Sequence, residues 1–212
     1  MHLTLEERIG LITHDRAKPA HPHALNGPPS WSATTIGTPY LLFNRVTPDF
    51  LSCGAAVTAD LNFMASDFAL AMWMNLSARP AIFLCRGRDQ LDGWYFSITA
   101  GNVVAITTNQ NLAFQSTTGA GITLNEWTLF SISRTDATAY VFKNGLDTTV
   151  THATHVNPAT CNRSMLVGSD GLATHFGGRI AGGPCGPRAW GRALSVEEHR
   201  YIFETERHWL GV

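Results

Sequence analysis

The sequence predicts an all-β chain, an antiparallel sandwich or barrel, with a short helix near each end. Three observations carry that reading. Short segments alternate apolar and polar residues with the period of two that sends successive side chains to opposite faces of a sheet. Gly, Pro, Asn or Asp bounds each of them, and no long helical pattern interrupts the series. The clearest segment, 125–145, reads as two strands: Phe130 and Ile132 alternate with Ser131 and Ser133, and Tyr140 and Phe142 with Val141 and Lys143. Arg134-Thr135-Asp136-Ala137 supplies the turn between them, and Asn144-Gly145 tolerates the positive φ of the next one.

Taken in order, the chain opens with Thr4-Leu5-Glu6-Glu7, which has the form of a helix capping box, and Leu5, Ile9 and Ile12 lie along one helical face. A helix to about Thr13 is expected. Between Lys18 and Pro39 fall five of the ten prolines, so this stretch reads as an extended arm, either loose or docked on a neighbouring subunit. Strand signals follow at 38–44, 49–54, 67–76, 81–87, 93–99, 102–108 and 163–169, with a further strand around Arg179-Ile180. Ser195-Val196-Glu197-Glu198 is a second capping box, and a helix is expected from about Val196 to Glu206. The expected organisation is a helix and proline-rich arm over 1–37, then a single domain over 38–212.

Composition narrows the function. A hydrophobic fraction of 44%, with 11 Phe and 6 Trp, suffices for a two-layer core. Lys plus Arg number 15 against 16 Asp plus Glu, and no basic run occurs, so binding to nucleic-acid phosphates has no footprint. The longest apolar run, Phe68 to Met74, is too short to span a bilayer, so no membrane insertion is expected. The N-terminal stretch lacks a secretory pattern, which implies synthesis in a cytoplasm. The four cysteines are widely spaced and read as buried free thiols.

The order of motifs resembles the concanavalin A-like jelly rolls of the laminin-G type. FALAMWMNL and GWYFSIT look like that family's Trp-bearing strand and its Gly-aromatic strand. Glu126-Trp127 with Phe130 and Ile132, Phe142-Lys143-Asn144-Gly145, LVGSD, FGGRI and Trp190 to Glu198 continue the pattern over roughly Thr38 to Glu206. The resemblance implies a two-sheet jelly-roll sandwich. One departure is Ala181 to Pro187, where Gly and Pro replace a smooth strand, so a bulge or break is expected there.

Candidate chemistry is sparse. Glycosidases need two carboxylates about 5 Å apart or somewhat wider, yet Glu126 is the single glutamate between Arg8 and Val196. Asp89 and Asp92 flank one loop and read as turn residues. No nucleophile elbow is present, so no catalytic residues are assigned. The pairs His21/His23 and His152/His155 read as surface histidines rather than a metal site. No cofactor is expected; the resemblance allows a calcium ion at the rim, for which Asp60 and Asp170 are the candidate ligands, with turn formation as the competing role. Trp31, Trp94 and Tyr95 are candidates for stacking on sugar rings, although Trp94 and Tyr95 point to opposite faces of one strand, so at least one belongs to the core.

Two functions are expected from this. One is a non-catalytic structural protein of a larger assembly, a bacteriophage virion component such as a head decoration or tail protein, docking on partner subunits or on copies of itself. The alternative is a carbohydrate-binding or adhesion module that recognises glycans at the sandwich rim.

Overall fold

The computed structural model describes residues 1–88, 91–109, 113–118, 121–151 and 157–212. Two antiparallel sheets lie face to face. In the first, nine strands run in the order Ile12–Thr13, His23–Asn26, Phe50–Cys53, Met165–Val167, Ala81–Arg88, Asp92–Ile98, Val104–Asn109, Ala113–Thr118 and Thr149–Thr151. In the second the order is Leu146–Asp147, Thr138–Lys143, Trp127–Thr135, Phe68–Leu76, Gly178–Ala181, Pro39–Phe43 and Ser30–Ala33, with Arg188–Trp190 also paired to Phe68–Leu76. This is the expected jelly-roll sandwich.

The anchoring hairpin forms as its sequence dictates. Trp127–Thr135 pairs with Thr138–Lys143, Asp136 takes the left-handed conformation between them, and Asn144 and Gly145 supply positive φ at the next turn. Phe68–Leu76 is buried at every position. Its Phe68, Leu70, Met72, Met74 and Leu76 enter the core between the sheets, where Phe63, Phe68 and Trp94 stack with ring centroids 4.8–5.9 Å apart.

The outer face of the second sheet holds a smaller core under the C-terminal helix, Val196–Glu206. The helix starts on the expected capping box, with Ser195 and Glu198 bonding each other's backbone N–H groups. Trp73 stacks on Phe203 and donates its indole N–H to Glu206 at 2.9 Å, and Arg188 grips the same carboxylate through two nitrogens at 2.5 and 2.7 Å. His199 lies against Phe142, its Nδ1 2.7 Å from the Ser131 hydroxyl and its Nε2 2.8 Å from that of Ser133.

The expected N-terminal helix does not form. Leu5 and Arg8 have positive φ, and Met1, Leu3 and Leu5 are buried in the main core instead of lining a helix face. Long-range bonds take the backbone: Leu3 N–H donates to Pro187, and the Thr4 carbonyl accepts from Gly183. Glu7, which a capping box would turn back on Thr4, holds Thr13 and His14. Burial outweighs the local preference. The proline-rich stretch that follows is strand in both sheets, at His23–Asn26 and Ser30–Ala33.

The break expected at 181–187 is present. Strand ends at Ala181, a 3-10 turn spans Gly183–Cys185, and pairing to Phe68–Leu76 resumes at Arg188. A Cβ on Gly186 would lie 1.8 Å from the Leu3 carbonyl, so glycine is what lets the N-terminal segment pass this close. All four cysteines are free and buried, and burial pushes the thiols of Cys85 and Cys185 up to about 12.

Arg188 and Glu206 face each other almost without solvent. Glu206→Ala leaves the guanidinium buried and unpaired and should cost about 3–5 kcal/mol in urea unfolding. Replacing both residues with Met should recover most of that loss, which a purely local packing defect would not allow.

Burial pushes His23 and His199 down to about 4, whereas in the unfolded chain both titrate near 6.5. Above about pH 6.5 neither state takes up these protons and stability is unaffected. Between about 6.5 and 4 the unfolded chain binds protons that the folded chain refuses, so stability falls with pH and levels off below 4. Each ring adds a slope of about 1.4 kcal/mol per pH unit in that window. Urea midpoints at several pH values should show it, and His199→Gln should reduce the slope by that one-proton amount.

Candidate functional site

The site is built from one row of side chains across the outer face of the second sheet. Cross-strand register places Trp127 opposite Asn75, Asn75 opposite Arg179, and Arg179 opposite Leu42. Trp127 opens its strand two residues after Asn125, whose N–H bonds the Leu76 carbonyl at 2.7 Å. Arg179 follows Gly178, where a Cβ would stand 2.2 Å from the Asn75 carbonyl oxygen; only a glycine admits so close an approach. Tyr40 projects on the same face beside this row, and its strand is fixed by the Gly182 N–H on the Pro39 carbonyl.

These residues form a cleft of about 280 Å³, walled by Thr34, Thr35, Tyr40, Trp127 and Arg179 with Leu210 among its lining residues. The rings of Tyr40 and Trp127 meet at 6.1 Å and 64°, which makes an aromatic corner. The Arg179 guanidinium lies 5.5 Å from the Tyr40 ring centroid. It makes no ion pair with any described residue, and it is the one formally charged group in the lining. Asn75 is 5% exposed, and its amide has no hydrogen-bond partner among the described residues. The corner thus offers an apolar ring face, two threonine hydroxyls and a cation to one ligand, with the Asn75 amide behind it in the register between Trp127 and Arg179.

Few of the residues singled out in the sequence lie here. Trp94 is fully buried, with its indole N–H on the Leu61 carbonyl at 2.8 Å, so it is core and not a stacking surface. Trp31 points to the opposite side of its strand from the row, packs against the main core, and donates to the Gly10 carbonyl at 3.3 Å. Tyr95 and Asp170 do come together, in a cleft of about 150 Å³ on the outer face of the first sheet. There Asp170 caps its own turn, accepting the N–H groups of Leu172, Ala173 and Thr174 on one oxygen.

Asp60 belongs to a cleft of about 670 Å³, at one end of the sandwich with Lys18, His21 and Arg188. His21 and His23 are buried, not surface residues. His21 sits between Asp15, 2.7 Å from Nδ1, and Asp60, 2.9 Å from Nε2. The carboxylates are distant in sequence, which hid this clamp from a reading by spacing. The three side chains bond one another rather than converge on a point, and no cluster of metal-ligating groups occurs among the described residues. Asp92 pairs with Arg163. Asp89, His152 and His155 lie outside the described residues.

The residues of the row were missed because no single strand contains them. Each strand was legible, and Trp127 stood out as a strand opener, but the register that sets Trp127, Asn75 and Arg179 side by side is a property of three strands together.

Comparison with known proteins agrees with this architecture. A family profile described as the concanavalin A-like lectin/glucanases superfamily matches residues 52–198. No curated protein sequence matches the chain. Among solved structures, domain 4 of AbnA, an extracellular GH43 arabinanase from Geobacillus stearothermophilus in complex with arabinotriose, superposes with a TM-score of 0.63 at 15% identity, over 85% of this chain and 87% of that one. The receptor binding domain of botulinum neurotoxin C/D mosaic serotype gives 0.69 at 11% identity, over 96% of this chain and 50% of that one. The binding domain of Paraclostridial Mosquitocidal Protein 1 gives 0.69 at 14%, over 96% and 51%. The chain spans about half the length of these two toxin domains.

Trp94→Phe tests the assignment of that ring to the core. It strands the Leu61 carbonyl and opens space beside Phe63, and should lower stability by about 2 kcal/mol in thermal or urea unfolding.

Proposed function

Because the chain belongs to the concanavalin A-like lectin/glucanase superfamily, we propose that it is a non-catalytic binding module that holds a saccharide in the Tyr40–Trp127 corner. The observation that carries this reading is the pairing of an open aromatic corner with polar groups at its edge, among them the Arg179 guanidinium, which has no ion-pair partner among the described residues. A sugar ring has an apolar C–H face and an equatorial rim of hydroxyls. Its face stacks on Trp127, and its rim meets Thr34, Thr35, the Asn75 amide and the Arg179 guanidinium. The names of the similar structures support binding as the role: one is a domain in complex with arabinotriose, and two are binding domains of toxins. This cleft supplies no acid and base for hydrolysis, since no carboxylate lines it.

The setting we infer from the sequence is a virion, where the module would serve as a head decoration or tail protein and reach glycans at a cell surface. The proline-rich stretch once suited to docking is taken up in both sheets. Attachment to partner subunits therefore falls to the remaining sandwich surface.

A glycan array read with the intact chain, followed by titration of the best hit, tests the binding role. Trp127→Ala should weaken that hit about tenfold or more, with the unfolding midpoint measured in parallel to separate lost stacking from lost structure. Binding that is insensitive to Trp127 and to Tyr40→Ala alike would place the ligand elsewhere and refute the corner as its site.

A further inference from the structure

We infer that the saccharide held in this corner is acidic, with a carboxylate on the ring that stacks on Trp127. This deepens the glycan reading and rests on it. Three observations lead there. First, the cleft carries one formal charge, and that charge is positive. Arg179 has no acidic partner among the described residues, a state it shares with the exposed Arg8, Arg88 and Arg200, but it alone of these lines the aromatic corner.

Second, the guanidinium is oriented. It rests over the Tyr40 ring, 5.5 Å from its centroid, which restrains the planar fork that binds a carboxylate through two parallel N–H donors. Third, Asn75 stands between Trp127 and Arg179 in the register. Its side chain makes no hydrogen bond to a described residue, and its amide keeps contact with solvent although the residue as a whole is 5% exposed.

The dimensions fit. Trp127 and Arg179 are two strands apart, roughly 10 Å at the usual inter-strand spacing. A pyranose ring lying on the indole spans the first strand interval. A carboxylate in the plane of that ring then reaches across Asn75 to the guanidinium and accepts N–H groups from both. A neutral hydroxymethyl group at the same place would accept fewer of these donors and would leave the cation without a counter-charge.

The test uses oligogalacturonate and the same oligosaccharide as its methyl ester, so that the two probes differ in charge along one backbone. Titration calorimetry of the intact chain should give an affinity about tenfold higher for the free acid at low salt, a charge-assisted gain of about 1.4 kcal/mol. The advantage should shrink as salt is raised toward 0.3 M, because the pair is exposed. Arg179→Gln, a surface change that leaves the fold intact, should bring the two forms within about twofold of each other. Equal affinity of the native chain for both forms overturns the acidic preference while leaving the glycan reading in place. So does Trp127-dependent binding of a neutral glycan when neither galacturonate form binds. A sulfated neutral sugar that outcompetes the free acid overturns the carboxylate assignment.

Discussion

The nine residues Phe68–Leu76 are the constraint on which the rest of the structure depends, because a strand buried at every position must have both of its faces covered. One face is covered by the other sheet. The other face carries Ala69, Ala71, Trp73 and Asn75 in succession, and the chain has to bring something over them. It does so with late elements: Trp190 and Arg188 pair beside Ala69 and Ala71, and the helix lays Phe203 and Glu206 on Trp73. The cover stops there. Asn75 is the next residue out, and the proposed site begins where that second layer ends.

The same logic explains the composition of the cover. Trp73 is large enough to need a stacking partner and polar enough to need an acceptor, and Glu206 meets the second need. A carboxylate at that depth demands a cation, which Arg188 supplies. His199 is clamped between two serine hydroxyls on the neighbouring strand, so the helix is held by directional bonds at both ends of its buried face. Gly145, close against the Arg200 backbone, allows the turn to reach under it.

Much of the fold was legible in the sequence because its signals are local. The hairpin around Asp136, the capping box at Ser195 and the break at Gly182-Gly183 each depend on residues within a few positions of one another. What failed was equally local. Thr4 to Glu7 satisfied the pattern of a helix start, yet Leu3 and Leu5 had a deeper place to go, and contact with residues near 183–189 decided the outcome. For the site, Trp94 and Tyr95 looked equivalent as aromatic neighbours on one strand, and only the register sends the first inward. Tyr40, Asn75 and Arg179 were unremarkable until three strands aligned them. The His21 clamp escaped for the same reason, since Asp15 and Asp60 lie 6 and 39 positions away.

The path of the first residues has a consequence for how the protein is made. Met1 bonds Ala189 across 188 positions of sequence, and Leu3 fits over Gly186. Met1, Leu3 and Leu5 are therefore three apolar side chains with no seat until the residues around 183–189 have been synthesised. The sheets can condense first, but the edge where that segment belongs stays open until then. Closure there is a late event, and during the wait Met1, Leu3 and Leu5 are the surface that a chaperone would meet.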